Sequence, residues 1–260
     1  MALEQAVTLS VAGPVATLTL QRPKQMNALN RQVLEELLRH VEMLKQTPEV
    51  RAVILRGEGK AFAAGADIKE MQDLTAVEAQ SFSELGQTAF RGLEQLHCPT
   101  IALIQGYALG GGLELAMACD IRIAAKGAKF GQPEIGLGVI TGFGGSQRLP
   151  RIVGQGRALS MLLTGDLVDT DEAFAIGLVT QVAEPDDLHE RGEKLAQKLA
   201  KLAPKAVNWM KKAVYEGAEA DLTQGLSMEA AWFGLAFGTE DQTEGMTAFV
   251  EKRKPEFRGK

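Results

Sequence analysis

The sequence predicts an α/β fold, a layered core followed by a helical C-terminal portion, on three observations. Short apolar segments alternate with stretches of helical periodicity over the first 145 or so residues. Those segments are apolar along most of their length, as strands buried on both faces and joined by crossover helices must be. Beyond about residue 145 helical spacing takes over almost completely. The chain of 260 residues is ample for one large core.

Each element follows in order. Residues 5–20, QAVTLSVAGPVATLTL, alternate apolar and polar positions around Gly13–Pro14, a hairpin pattern. Asn30 is a good N-cap for RQVLEELLRHVEMLKQ, whose apolar residues recur at helical spacing, with Pro48 just beyond. AVILRG (52–57) reads as a buried strand, and EGKAFAAGADIKEM as a Gly/Ala-rich loop entering a short helix. Thr75 and Glu78 form a capping box that opens a helix expected to run to about Leu96. TIALIQG (100–106) is a second buried strand, followed by a glycine turn, a short helix and DIRIAA (120–125) as a third strand. Farther on, Pro185 and Pro204 stand near helix starts, and Thr239 with Gln242 caps another helix. No linker or simple repeat divides the chain, so the helical portion is not expected to fold alone.

Composition narrows the function. A formal net charge of -5 argues against nucleic-acid binding by bulk electrostatics. No apolar run reaches the roughly 18 residues of a membrane span. The opening MALEQAVTLSVAG lacks a leader pattern, so the protein is expected to be cytoplasmic, or organellar and supplied without its leader. Cys98 and Cys119 have no C-x-x-C spacing and read as reduced core thiols. His40, His97 and His189 are scattered, without an H-E-x-x-H pair, so no metal site is expected. His40 and His189 are expected on solvated helix faces and His97 in a turn. There is no G-x-S-x-G elbow, and GYALGGG lacks the G-K-[ST] of a phosphate-binding loop. GLGVITG (136–142) is one residue off the dinucleotide fingerprint.

Carboxylates remain. Glu114, in GYALGGGLELAMACD, opens an otherwise apolar helix. It either caps that helix through the macrodipole or does chemistry. Glu134, in FGQPEIGLG, is either a loop carboxylate accepting backbone hydrogen bonds or its counterpart. Two acids in apolar, glycine-rich surroundings can acquire separated pKa values, one acting as base and the other as acid. The N–H of Gly111 at the helix start can donate to a developing oxyanion, and a second donor can come from AAGAD (63–67). Such a set suits chemistry at an activated acyl group through an enolate.

Four blocks carry a family resemblance: AFAAGADIKEM, GYALGGGLELAMACDIRIA, FGQPEIGLGVITGFGGSQRLPR and TEDQTEGMTAFVEKRKPEF. They resemble the crotonase superfamily, particularly enoyl-CoA hydratase, from QRPKQMNALN to EKRKPEF. The resemblance implies a crotonase-like spiral of β-β-α turns with the active site, residues 1–195. A C-terminal helical oligomerisation region, 196–260, would form a homotrimer or a hexamer built as a dimer of trimers. It implies an oxyanion hole at the Ala66 and Gly111 N–H groups, and catalytic glutamates at Glu114 and Glu134. The implied reaction is syn addition of water to a trans-2-enoyl-CoA, giving a 3-hydroxyacyl-CoA, as in fatty-acid degradation. No cofactor is implied, coenzyme A being part of the acyl-CoA thioester substrate. Coenzyme A would lie along Ala66, Asp67, Ile68 and Lys69, with Lys24, Lys60 and Lys252 as further basic candidates. Met71, Leu74, Leu85 and Phe90 either line an acyl pocket or pack the core.

One departure stands out. Thr141 occupies a position where hydratases commonly have proline, and Phe143 replaces a small residue. Two rivals share the scaffold. An enoyl-CoA isomerase usually lacks a carboxylate at the position of Glu114. An RNA-binding relative would need a basic stripe, and EKRKPEFRGK is interrupted by acids.

Overall fold

The structure, a computed structural model, describes residues 5–260. The leader reading falls partly on residues 1–4, which lie outside the described residues. The hairpin forms as expected: β1 (Val7–Ala12) and β2 (Val15–Leu20) pair antiparallel across Gly13–Pro14. Helix α1 (Arg31–Lys45) begins at Asn30, whose side chain accepts from the Val33 N–H. Strand β3 (Ala52–Gly57) leads through the loop of residues 58–67 to the short α2 (Ile68–Met71). Helix α3 (Ala76–Glu94) carries the full capping box of Thr75 and Glu78.

Strand β4 (Thr100–Ile104) is followed by the short β5 (Tyr107–Leu109) and by α4 (Gly111–Met117). Then come β6 (Ile121–Ala125) and β7 (Lys129–Gly131). A 3-10 turn over Pro133–Leu137 precedes α5 (Gly145–Val153) and α6 (Gln155–Thr164). After them lie β8 (Val168–Asp169), α7 (Thr170–Ala175) and β9 (Gln181–Ala183). Four helices close the chain: α8 (Leu188–Leu199), α9 (Pro204–Gly217), α10 (Leu222–Ala236) and α11 (Glu240–Val250).

The main sheet has the order β1-β2-β3-β4-β6-β9, parallel from β2 onward, and a second sheet has the order β5-β7-β8. Beyond residue 145 the chain is almost wholly helical, as expected, with two short strands as the exceptions. Segments of two or three residues carry no period of their own, and β9 forms because β6 offers it a ladder edge.

Strand residues alternate between two cores. Val53 and Leu55 face the larger one, with α1, α3 and α4, whereas Ile54, Leu103 and Ile123 face α8. Helix α8 lies close on the sheet at Gly192, where a methyl would stand 2.6 Å from Leu103. A division at 195/196 therefore falls inside a helix whose Ala196 and Leu199, with Ala200 just beyond its end, still cover the sheet. Helix α9 is tied on by Lys211, whose Nζ pairs with Asp120 at 2.7 Å and donates to the Cys98 carbonyl at 2.9 Å.

The histidines correct one expectation. His40 is half-buried, with Nε2 3.1 Å from the Val7 carbonyl, because it sits beside the β1 edge. Both cysteines are free and buried, and their thiols are pushed up to about 12, chiefly by burial.

Helix α4 meets the 58–67 loop at Gly112, where a methyl would lie 2.1 Å from the Ala63 carbonyl oxygen. Backbone cannot yield as a side-chain tip does. Gly112→Ala is expected to cost at least about 2 kcal/mol in urea unfolding. Gly156→Ala, on α6 with nothing within 4 Å of the new methyl, is expected to be neutral or stabilising by up to about 1 kcal/mol.

Candidate active site

Residues 63–67 are held in place before any chemistry is considered. Asn27 is buried with φ 56°, and its Nδ2 donates to the carbonyls of Glu58 and Ala61 at 2.9 and 2.8 Å. Its Oδ1 accepts from the Arg22 N–H at 2.9 Å, so the loop before α1 is stapled to the loop after β3. The Ala63 N–H donates to the Tyr107 carbonyl, and the Leu109 N–H to the Ala63 carbonyl. On the other side, the Leu29 N–H donates to the Gly65 carbonyl and the Asp67 N–H to the Leu29 carbonyl.

That lacing brings Ala66 to the start of α4. A methyl on Gly111 would stand 3.3 Å from the Ala66 nitrogen. Among the described residues, neither the Ala66 nor the Gly111 N–H donates to a protein acceptor. Two adjacent N–H groups at a helix start form a site for a negatively charged oxygen.

Glu114 is 1% exposed. Its Oε1 accepts from the Phe143 N–H at 2.8 Å and the Gly145 N–H at 2.6 Å. It thus holds the loop before α5 rather than capping its own helix. Burial pushes its carboxyl up to about 7, with Glu134 adding to the rise, while the two N–H groups and Arg148 oppose it. Glu134 opens the 3-10 turn after β7, and Oε1 would be 2.7 Å from a methyl on Gly110, so its carboxylate lies against the start of α4. Its pKa is also raised, by burial, against its own backbone N–H. Gln132 is buried, and its amide, oriented to satisfy both groups, donates to the two Glu134 oxygens at 3.1 Å. Gly145 sits where these groups meet: a methyl there would be 2.9 Å from the Gln132 amide and 3.0 Å from Glu114 Oε1.

Ala66, Gly111, Glu114 and Glu134 thus converge. Asp67 spends its carboxylate on Arg22, at 2.9 Å, and on capping α2. Ile68 and Lys69 are exposed at the rim, and Lys24 and Lys60 are exposed on loops that touch where Pro23 meets Gly59. Lys252 lies apart in sequence and fold, in the turn after α11, with φ 56°. Met71, Leu74 and Leu85 are half-buried against the core, and Phe90 is wholly inside it.

Three participants escaped the sequence reading: the Phe143 and Gly145 N–H groups and the Gln132 amide. The glycines of GFGG were the available signal for the first two, since close approach to a carboxylate excludes a side chain at Gly145. The two departures find places too. The Thr141 hydroxyl accepts from the Ser146 N–H at 2.9 Å. The Phe143 ring packs edge-on against Phe82 and Phe90, with centroids at 5.3 and 5.5 Å.

Comparison with known proteins identifies the family. Residues 11–260 match the family model described as enoyl-CoA hydratase/isomerase. A crotonyl-CoA hydratase of Syntrophomonas wolfei is 51% identical over 94% of each chain. A short-chain-enoyl-CoA hydratase of Clostridium acetobutylicum is 48% identical over 96% of each. The crystal structure of an enoyl-CoA hydratase from Bacillus anthracis superposes with a TM-score of 0.95 at 40% identity, covering 98% of this chain and 100% of that one.

Burying Glu114 has a stability cost with a definite pH dependence. Its carboxyl binds the proton more tightly folded, at about 7 against an ordinary 4.5. The folded state then carries more protons than the unfolded one between those values, so stability falls as pH rises through the window. The loss approaches about 3 kcal/mol once both states are ionised. Glu114→Gln is expected to raise Tm relative to the parent at pH 8 and much less at pH 5. A difference independent of pH would contradict the burial argument.

Proposed function

The chain belongs to the enoyl-CoA hydratase/isomerase family, and from that premise we propose that it hydrates short trans-2-enoyl-CoA thioesters to 3-hydroxyacyl-CoA. The observation that carries this reading is the convergence of a buried and a half-buried carboxyl group, both of raised pKa, beside two N–H groups without protein acceptors. Short acyl chains are inferred from the crotonyl-CoA and short-chain hydratases it resembles.

In this reading the thioester oxygen accepts from the Ala66 and Gly111 N–H groups, which withdraws electron density from C3 and stabilises the enolate-like state. Water lies between the carboxyl groups. Glu114, oriented by its two N–H donors, takes a proton from the water as the oxygen bonds to C3. Glu134, held by its own backbone N–H and the Gln132 amide, supplies a proton to C2. The hydroxyl reaches C3 and the proton reaches C2 from the same face of the double bond, so addition is syn. Two like charges held close together resist double ionisation, and Glu134 accordingly adds to the rise of the Glu114 carboxyl. This acid–base chemistry calls for no cofactor or metal. The loops bearing Lys24, Lys60 and Lys69 surround the Ala66 segment and are proposed to meet the coenzyme A phosphates, with Lys252 entering from a second copy of the chain.

We further propose a homo-oligomer, a trimer or a pair of trimers. Met210, Leu222, Phe233 and Phe249 on α9, α10 and α11 are 66%, 78%, 67% and 84% exposed in the single chain, a surface of the kind that subunit contacts cover. No helix among the described residues is long and apolar enough to cross a membrane. We place the enzyme in the cytoplasm, where a coenzyme A thioester, too charged to cross membranes unaided, is available.

Loss of enoyl absorbance with crotonyl-CoA tests the reading. Rapid hydration is expected, falling roughly 100- to 10,000-fold in Glu114→Gln and in Glu134→Gln. A parent inactive on crotonyl-, hexenoyl- and aryl-enoyl-CoA but active in shifting a 3-enoyl double bond would replace the hydratase with an isomerase. Light scattering giving a monomer mass would overturn the oligomer.

A further inference from the structure

The segment that holds Glu114 is itself gripped from behind by α3. The Gly142 carbonyl accepts from Ser83 Oγ at 2.5 Å and from Gln87 Nε2 at 2.9 Å. The next carbonyl, that of Phe143, accepts from Arg148 Nη1 at 2.8 Å, and Arg148 Nε is paired with Glu94 at 2.5 Å. Ser83, Gln87 and Glu94 are spaced by four and seven residues, so they share one face of α3.

Peptide geometry gives these contacts a consequence. In a trans peptide the C=O and N–H point in opposite directions. Drawing the Gly142 carbonyl to α3 turns the N–H of the same unit, that of Phe143, toward Glu114. Holding the Phe143 carbonyl sets the bend at Gly144, φ 109°, that brings the Gly145 N–H round to the same oxygen. The Phe143 ring, wedged between Phe82 and Phe90 of α3, fixes the segment from a third direction.

We propose that Ser83, Gln87 and the Glu94–Arg148 pair are positioning residues through which α3 aims the Phe143 and Gly145 N–H groups, and so orients Glu114 for reaction. The proposal rests on the acid–base reading of Glu114. The charged groups facing that carboxyl are Glu134 from the turn after β7 and Arg148 from α5, with Glu94 of α3 bound to Arg148. Arg148 is a cation that favours the Glu114 anion, so its removal raises the proton affinity of Glu114 further.

The test compares Arg148→Met, Arg148→Lys, the double variant Ser83→Ala/Gln87→Met, and Glu114→Gln. It measures kcat and KM for crotonyl-CoA from pH 5.5 to 9, with thermal unfolding alongside. In Arg148→Met, kcat is expected to fall roughly 10- to 100-fold, the scale of a misplacement near 1 Å. KM should change less than kcat, and the acidic limb of the kcat profile should move to higher pH. Arg148→Lys restores the charge without the forked geometry, so the limb should return more fully than kcat. The double variant keeps the charge and should lower kcat with little movement of the limb. Parental kcat and pH profile in folded Arg148→Met and in the double variant would overturn the proposal. So would an Arg148→Met loss that only tracks a lower Tm with an unmoved profile, or a double-variant loss fully accounted for by a lower Tm. Undiminished hydration by Glu114→Gln would instead sink the acid–base reading itself, and the proposal with it.

Discussion

The arrangement depends on keeping one carboxylate, that of Glu114, inside the protein. A carboxyl group 1% exposed is driven toward its neutral form unless polar partners favour the anion. Two N–H groups on one oxygen do so in part, which leaves the group near neutrality instead of far above it. That balance suits the proposed role of Glu114, taking and returning a proton near pH 7. It also explains the close packing around it. Gly145 admits the carboxylate to its backbone, Gly112 lets α4 settle on the 58–67 loop, and α3 braces the segment from outside.

The two carboxyl groups are distinguished by their surroundings, not by their chemistry. Glu114 sits on a helix and is met by two N–H donors from a different element. Glu134 sits on a turn, with its own backbone N–H and the Gln132 amide as partners. Burial raises both, and the second charge hinders the first. The proposed oxyanion pair is likewise a tertiary product. Ala66 comes from a loop laced to Leu29 and Tyr107, Gly111 from the first turn of α4, and β5 keeps them together. A substrate oxygen bound there would complete hydrogen bonding that the chain itself leaves open.

Much of this was legible in the sequence. Hairpin, capped helices and buried strands appeared where period and capping residues placed them, because those signals act within one element. Asn30 and Thr75 accept from the N–H groups three residues on, as caps do. Glu114 and Glu134 drew notice because an acid among aliphatic residues and glycines is costly without a reason. The strands β5, β7, β8 and β9 were not legible, since two or three residues have no period and pair only where a neighbour offers an edge. Nor was the extent of α8 over the sheet, which depends on the fit of Gly192 against Leu103.

By itself, then, the sequence determined the α/β class, the order of the principal elements, the family and the residue types proposed to bear the chemistry. These are encoded locally, in periodicity, caps and contiguous motifs. Only the tertiary structure decided that Glu114 would be held by the N–H groups of Phe143 and Gly145, 29 and 31 residues away. It alone decided that Ala66 would reach Gly111, and that Arg148 would be tied to Glu94 across 54 residues. Such pairings form when separate elements pack against a common sheet, and no local pattern specifies the distance or direction at which two remote peptides meet.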